Sequence, residues 1–388
     1  MSYFDGLEFF IVLVPLLGIT VLLKLWGLQG KGWITGLSLG FAIWIYRSSP
    51  GELAALAVYI ASIWVILNWF LQKRGVHKRK GPYYKIALGL TLAPLVLNKL
   101  FPVLNLSPLG FLGLSYISFK SLQMVIEIQD GLIKDLSLSD YLPFMTFFPT
   151  MSSGPIDRSR RFSEDLNGKK SREEYLELLG SGLFTLILGL VYKFVLADYL
   201  YGHLQRLTLD FHPMRNLAYM YVYGFYLFFD FAGYSNLAVG TANILGINTP
   251  INFNKPFLSV DIKDFWNRWH MSLSFWFRDF LFSRIVKGFI KKKRFSTMQQ
   301  TAAISYMINM GMMGAWHGLS SSYLLYGLYH GVLLALTDLY QQRSEFYKTH
   351  RNQLSYRAFS TIVTFHLAMI GFFIFSGRFA AWMKYLFF

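Results

Sequence analysis

Ten apolar segments, each bounded by polar or basic residues, dominate this 388-residue chain; they lie at roughly 7–26, 33–46, 53–71, 83–101, 109–128, 178–197, 217–246, 299–316, 323–340 and 358–376. A helix needs about 20 predominantly apolar residues to cross the hydrocarbon core of a bilayer, and all but the second segment come near that length. Composition agrees: only 15% of residues are charged, against about 25% in a soluble domain. A water-soluble protein of this size has no interior large enough for 37 Phe, 24 Tyr and 10 Trp. The expectation is an all-α polytopic integral membrane protein with about 10–11 transmembrane helices plus re-entrant and interfacial helices. No linker or repeat divides it, so residues 1–388 read as a single membrane-embedded domain: N-terminal helices 1–101, a motif-bearing core 102–340, and a C-terminal helix and tail 341–388. A DNA-binding factor, a Rossmann enzyme, a disulfide scaffold and a disordered hub are excluded.

Two stretches break the apolar pattern. Segment 141–155 is too short to span and contains Pro143, Pro149 and Pro155, which reads as re-entrant or interfacial. Segment 264–290 mixes Trp and Phe with Asp264, Arg268, Arg278, Asp279 and Arg284. Charge facing lipid is costly, so this segment predicts amphipathic helices at an interface or around a cavity.

The net charge of +16 fits a membrane protein whose cytoplasmic loops collect Lys and Arg, and it suits anionic lipids or an acidic partner; no nucleic acid is implied. Four basic clusters define the loops: Lys73, Arg74, Lys78, Arg79 and Lys80; Arg158, Arg160, Arg161, Lys169, Lys170 and Arg172; Lys287, Lys291, Lys292, Lys293 and Arg294; and Arg343, Lys348, Arg351 and Arg357. With all four in the cytoplasm, the intervening spans alternate correctly and the N-terminus comes out extracellular. With no cysteine, disulfides, thiolate catalysis and Cys-ligated metals are excluded. The acidic start (Asp5, Glu8) lacks the basic region of a cleavable signal peptide.

Chemistry concentrates at the histidines. Between Phe265 and Asp279 lie three Trp, one His and two Arg. At helical spacing Trp266, Trp269 and His270 share one face. An aromatic interface belt with snorkelling Arg would look the same. His317 ends a span within Gly314-Ala315-Trp316-His317-Gly318. A neutral imidazole there is a competent general base near pH 7, although a hydrogen-bonded core histidine is the plainer alternative. His330 on the next span could support it. His366 reads as packing, and His77, His203, His212 and His350 as loop residues. Asp230 sits in an apolar run and needs a partner or water; Lys120 and Glu127, seven residues apart, share a helix face. No metal-binding motif, Gly-x-Ser-x-Gly or P-loop is present. No metal is therefore expected.

Trp266-Asn267-Arg268-Trp269-His270, followed by Trp316-His317-Gly318 with the second histidine 47 positions after the first, resembles the membrane-bound O-acyltransferase family. The runs Thr146-Phe147-Phe148-Pro149-Thr150-Met151-Ser152-Ser153-Gly154-Pro155-Ile156-Asp157-Arg158 and Phe229-Asp230-Phe231-Ala232-Gly233-Tyr234-Ser235 are similar to its bacterial branch that works in D-alanylation of teichoic acids. The motifs cover about 100–340, and the hydropathy pattern the whole chain.

The resemblance implies a plasma-membrane enzyme of cell-wall assembly. Its donor would be D-alanine in thioester linkage to the phosphopantetheine of a small acidic carrier protein, with no permanently bound cofactor. The acceptor would be lipoteichoic acid, and other membrane proteins of the same pathway would take part. His317 matches the catalytic histidine and His270 the second motif histidine. Trp266, Asn267, Arg268, Trp269, Trp316, Asp230 and His330 are candidates for binding substrate or lining a tunnel whose narrow point lies near His317. Two other readings stand beside it: an O-acetyltransferase of an exported polysaccharide, and a transporter or flippase coupled through Asp230, Lys120 and Glu127. A structural assembly subunit would tolerate loss of both His270 and His317.

Overall fold

The computed structural model describes residues 4, 6–28, 30–76, 81–106, 110–208 and 212–387; Asp5, His77, Lys78, Arg79 and Lys80, named above, lie outside them. All regular structure among the described residues is helical. Each of the ten apolar segments falls on a helix, and the chain packs as two compact units, Met1–Leu190 with Gly233–Pro250 and Val191–Ala232 with Ile251–Phe388.

The first unit contains α1 (Leu7–Leu25), α2 (Lys31–Ile45), α3 (Pro50–Val76), α4 (Gly81–Leu100), α5 (Leu114–Asp130), α6 (Leu138–Thr146), α7 (Phe148–Met151), α8 (Ser159–Asn167) and α9 (Arg172–Val191). Segment 141–155 is indeed too short to span. It forms the nine-residue α6 and four-residue α7, with the break at Phe147, and nearly all of it is buried. A row of buried polar groups on α5 holds this broken stretch. Lys120 Nζ donates to the Phe144 carbonyl (3.0 Å) and Thr150 Oγ1 (3.2 Å), Gln123 Nε2 to the Asp157 carbonyl (2.8 Å), and Ser159 Oγ to Glu127 Oε2 (2.6 Å). Lys120 and Glu127 do share a helix face. Lys120 and Gln123 pair backbone carbonyls that a hydrocarbon environment would otherwise leave without a partner, whereas Glu127 holds the Ser159 hydroxyl.

The second unit contains α10 (Asp198–Leu207), α11 (Pro213–Ile244) up to Ala232, α12 (Ile262–Trp266), α13 (Met271–Trp276), α14 (Ser283–Lys291), α15 (Met298–His317), α16 (Ser321–Arg343), α17 (Glu345–His350), α18 (Leu354–Phe375) and α19 (Arg378–Phe387). Segment 264–290 is the predicted series of short helices, with a π-helical turn at Phe277–Phe282 joining α13 to α14. His203, expected in a loop, lies inside α10 with its ring 4.7 Å from Tyr199; the run around it is continuous in helix with the preceding span. α15 and α16 form a hairpin of close approach. A β-carbon on Gly314 would collide with the Tyr323 carbonyl oxygen, and one on Gly327 with that of Met310. Small residues let membrane helices approach this closely, where van der Waals packing and interhelical polar contacts hold them.

Among the described residues, five helical stretches are long and apolar enough to cross a bilayer: Leu7–Leu25, Pro50–Arg74, Gly81–Leu104, Arg172–Leu207 and Leu354–Phe375. α2 is short, at 15 residues. α5 and α15 are less apolar because they bury Ser118, Lys120, Ser121, Gln123 and Glu127 in one case and Thr301, Ser305 and Asn309 in the other. A helix that turns polar atoms toward protein need not be apolar all round.

Gly327→Val is expected to lower the melting temperature by several degrees or abolish folded yield, since overpacking typically costs about 1–3 kcal/mol. Gly311, with nothing near a would-be β-carbon, should accept alanine with unchanged or slightly raised stability. A thermal melt in detergent of both variants checks this, and equal tolerance would contradict the close approach.

Candidate active site

The second unit brings the two motif histidines to one cavity. His317 is the last residue of α15, and Gly318 continues in extended backbone toward α16. His270 sits between α12 and α13 with φ of 44°, in the left-handed region. A side-chain-bearing residue there costs about 1–2 kcal/mol, so its surroundings must impose it. They do: Met271 N–H donates to the Asn252 carbonyl (2.9 Å), Asn252 Oδ1 accepts from the Ser272 N–H (3.2 Å) and hydroxyl (2.7 Å), and Asn254 N–H donates to the Arg268 carbonyl (3.0 Å).

The cavity holds about 50 Å³ and is lined by Leu227, Phe231, Trp266, Trp269, His270, Leu273, His317, Tyr326, Phe372 and Phe375. Rings fix the imidazoles. Phe231 lies edge-on to His270 at 4.6 Å; Phe375 lies edge-on to His317 at 5.0 Å, and Trp316 lies 4.6 Å from it. Among the described residues, no carboxylate lines this cavity.

Several buried polar atoms close to the cavity make no hydrogen bond among the described residues: His270 Nε2, Trp266 Nε1, and both ring nitrogens of His330. His330 does not line the cavity but packs against two residues that do, at 5.2 Å from Trp266 and 4.7 Å from Tyr326. Gly371 makes room for it, because a β-carbon there would run into His330 Nε2. A second cavity, about 280 Å³, is lined in part by Lys263, Asn267, Ser274, Arg278, Tyr306 and Asn309. Trp266 lines both.

The matched family model is that of the membrane-bound O-acyltransferase family, over residues 57–377. The chain belongs to that family. It is similar to the teichoic acid D-alanyltransferase of Bacillus subtilis, at 39% identity over 97% of this chain and 98% of that one. That of Streptococcus thermophilus is 40% identical over 84% and 83%. The probable alginate O-acetylase AlgI of Pseudomonas putida is 30% identical over 58% of this chain and 45% of its own.

A membrane-bound O-acyltransferase must activate an acceptor hydroxyl and stabilise the oxyanion formed at the acyl carbon. The cavity offers two imidazoles, two indoles and the Tyr326 hydroxyl for those tasks. Of the residues nominated from sequence, Trp266, Trp269, His270 and His317 share it. Trp316 backs His317, and Asn267 opens on the neighbouring cavity. Arg268 instead pairs with Asp264 at 2.8 Å, and Asp230 with Lys193 at 2.8 Å; neither lines a histidine cavity. The helical-face argument for Trp266, Trp269 and His270 needs correction. α12 ends at Trp266; Trp269 stays in helical register through its N–H bond to the Phe265 carbonyl (2.8 Å), while the left-handed backbone at His270 takes that residue off the helix. Phe231 belongs to the run Phe229–Ser235 that carries the resemblance, whereas Tyr326 and Phe375 have no such signal; only the spacing of Tyr326 from His330, one helical turn, points to the former.

Glycine in a helix normally costs 0.5–1 kcal/mol more than alanine, but at position 270 the order should reverse. His270→Gly is expected to melt above His270→Ala, because glycine alone takes this backbone conformation freely, while both lose acyl-transfer activity. Parallel melting curves and activity assays test this; an alanine variant as stable as glycine would show that the turn relaxes.

Proposed function

We propose that this chain is a D-alanyltransferase of teichoic acid assembly in the bacterial plasma membrane, with His317 as general base. The observation that carries the mechanism is that His317 and His270, from separate elements, line one small aromatic cavity together with Tyr326. Full-length similarity to teichoic acid D-alanyltransferases supports the substrate class. The alginate O-acetylase is matched over less than half of its own length, which makes the polysaccharide reading the weaker one. The family match runs through both compact units, in keeping with one functional domain.

The donor is D-alanine as a thioester on the phosphopantetheine of an acidic carrier protein, which the cytoplasmic basic clusters steer by charge; the N-terminus is then extracellular. The pantetheine arm approaches by the polar cavity of Asn267 and Arg278. His317 takes the proton of the acceptor hydroxyl as its oxygen attacks the thioester carbon. Tyr326 O–H donates to the oxyanion. The tetrahedral intermediate expels the pantetheine thiolate, which recovers the proton from His317, leaving a D-alanyl ester. His270 lies across the cavity, where it orients the acyl carbon. Lipoteichoic acid receives the group, by hand-over through other membrane proteins of the pathway. A transporter is disfavoured because its coupling candidates are engaged elsewhere: Lys120 with Phe144 and Thr150, Glu127 with Ser159, and Asp230 with Lys193.

Purified protein supplied with carrier protein bearing labelled D-alanine, pathway partners and acceptor is expected to discharge the thioester. His317→Ala should reduce the rate by about 10²–10⁴-fold, the usual contribution of a positioned general base. Full activity in that variant would remove His317 from the chemistry, and use of acetyl but not D-alanyl donors would establish the O-acetyltransferase.

A further inference from the structure

A cavity of about 850 Å³ shares no lining residue with the two histidine-side cavities. Its walls run along two helices. α18 contributes Arg357 near its start and Val363 and Leu367 further along; α16 contributes Gln341 near its end and Leu336 and Leu333 deeper in. At 1.5 Å rise per residue, Arg357 and Leu367 stand about 15 Å apart along the axis. Since α18 is long and apolar enough to cross a bilayer, its first turn lies at headgroup level and Leu367 lies at acyl-chain depth.

The rim is cationic. Arg351 and Arg357 are exposed and, among the described residues, make no ion pair. The one acid in the lining, Asp261, is occupied: Oδ1 accepts from the Asp264 N–H (2.8 Å) and Oδ2 from the Gln341 amide (2.8 Å). Glu345 on α17 pairs with Lys348 at 2.6 Å. Beside these free guanidiniums, Phe346 is 59% and Phe359 66% exposed. Unpaired guanidinium groups above an apolar groove that descends 15 Å along a spanning helix match a ligand with an anionic head and a hydrocarbon tail.

We propose that this groove binds one anionic phospholipid, its phosphate at Arg351 and Arg357 and an acyl chain along Leu336, Val363 and Leu367. A soluble acidic protein would satisfy the arginines but not reach the apolar floor. Free phosphate would leave that floor wet. The site adjoins the motif segment, because Gln341 holds the Asp261 that caps α12.

The test uses the full chain in neutral detergent, titrated with dioleoyl phosphatidylglycerol or dioleoyl phosphatidylcholine and read by native mass spectrometry and thermal melt. Phosphatidylglycerol should bind one per chain and raise the melting temperature; phosphatidylcholine and glycerol phosphate should do neither. R351Q/R357Q should weaken binding by about 30-fold, at about 1 kcal/mol per interfacial cation, and R351K/R357K should keep most of it. Val363→Trp should weaken it with the charges intact. Equal binding of phosphatidylcholine, or unchanged affinity in R351Q/R357Q, would overturn the proposal. So would loss of carrier-protein binding in R351Q/R357Q with lipid binding intact. No donor or acceptor is needed, so the result is independent of whether the chain transfers D-alanine.

Discussion

The constraint from which the architecture follows is that no backbone polar group can be left unpaired in hydrocarbon. Helices meet that demand internally, which is why every apolar segment is one. Where the chain departs from helix, something supplies the missing partners. Next to the α6–α7 break it is Lys120, and beyond α7 it is Gln123, both of α5. At the α12–α13 break it is Asn252 and Asn254. The two interruptions fall at Thr146–Arg158 and Trp266–His270, the runs on which the resemblance to the acyltransferase family rests.

Helix–helix closeness then decides which side chains meet. Gly314 and Gly327 let α15 and α16 come into backbone contact. His317 and Tyr326 follow these glycines or precede them by one to three residues, so their rings, 6.2 Å apart, inherit their spacing from the contact. α18 closes the opposite wall with Phe372 and Phe375, and Gly371 on the same helix admits His330 behind it. The unsatisfied nitrogens of His270, His330 and Trp266 are costly to bury, on the order of 1–3 kcal/mol each when unmatched. A bound substrate can offset that cost for those that reach the cavity.

Much of this was legible in the sequence because span length and charge placement are one-dimensional signals. Ten apolar runs gave ten helices, and the prolines of 141–155 marked a break. The site was only half legible. His270 and His317 stood out as ionisable groups in apolar surroundings, but their meeting depends on a left-handed residue, and a helical wheel drawn across that residue gives the right neighbours for the wrong reason. Tyr326 looked like any aromatic in a span. Asp230 looked isolated because Lys193 is 37 residues away in sequence.

The walls of the histidine cavity are themselves a packed unit. The space left between them is small, about 50 Å³. The rings that enclose it pack on one another: Trp269 lies 4.6 Å from Phe372, and Tyr326 lies 5.1 Å from Phe375. A long chain entering between them would have to force apart contacts made by α16, α18 and the turn between α12 and α13. In the proposed transfer, an acyl group at the two histidines would have to fit among these rings or displace them.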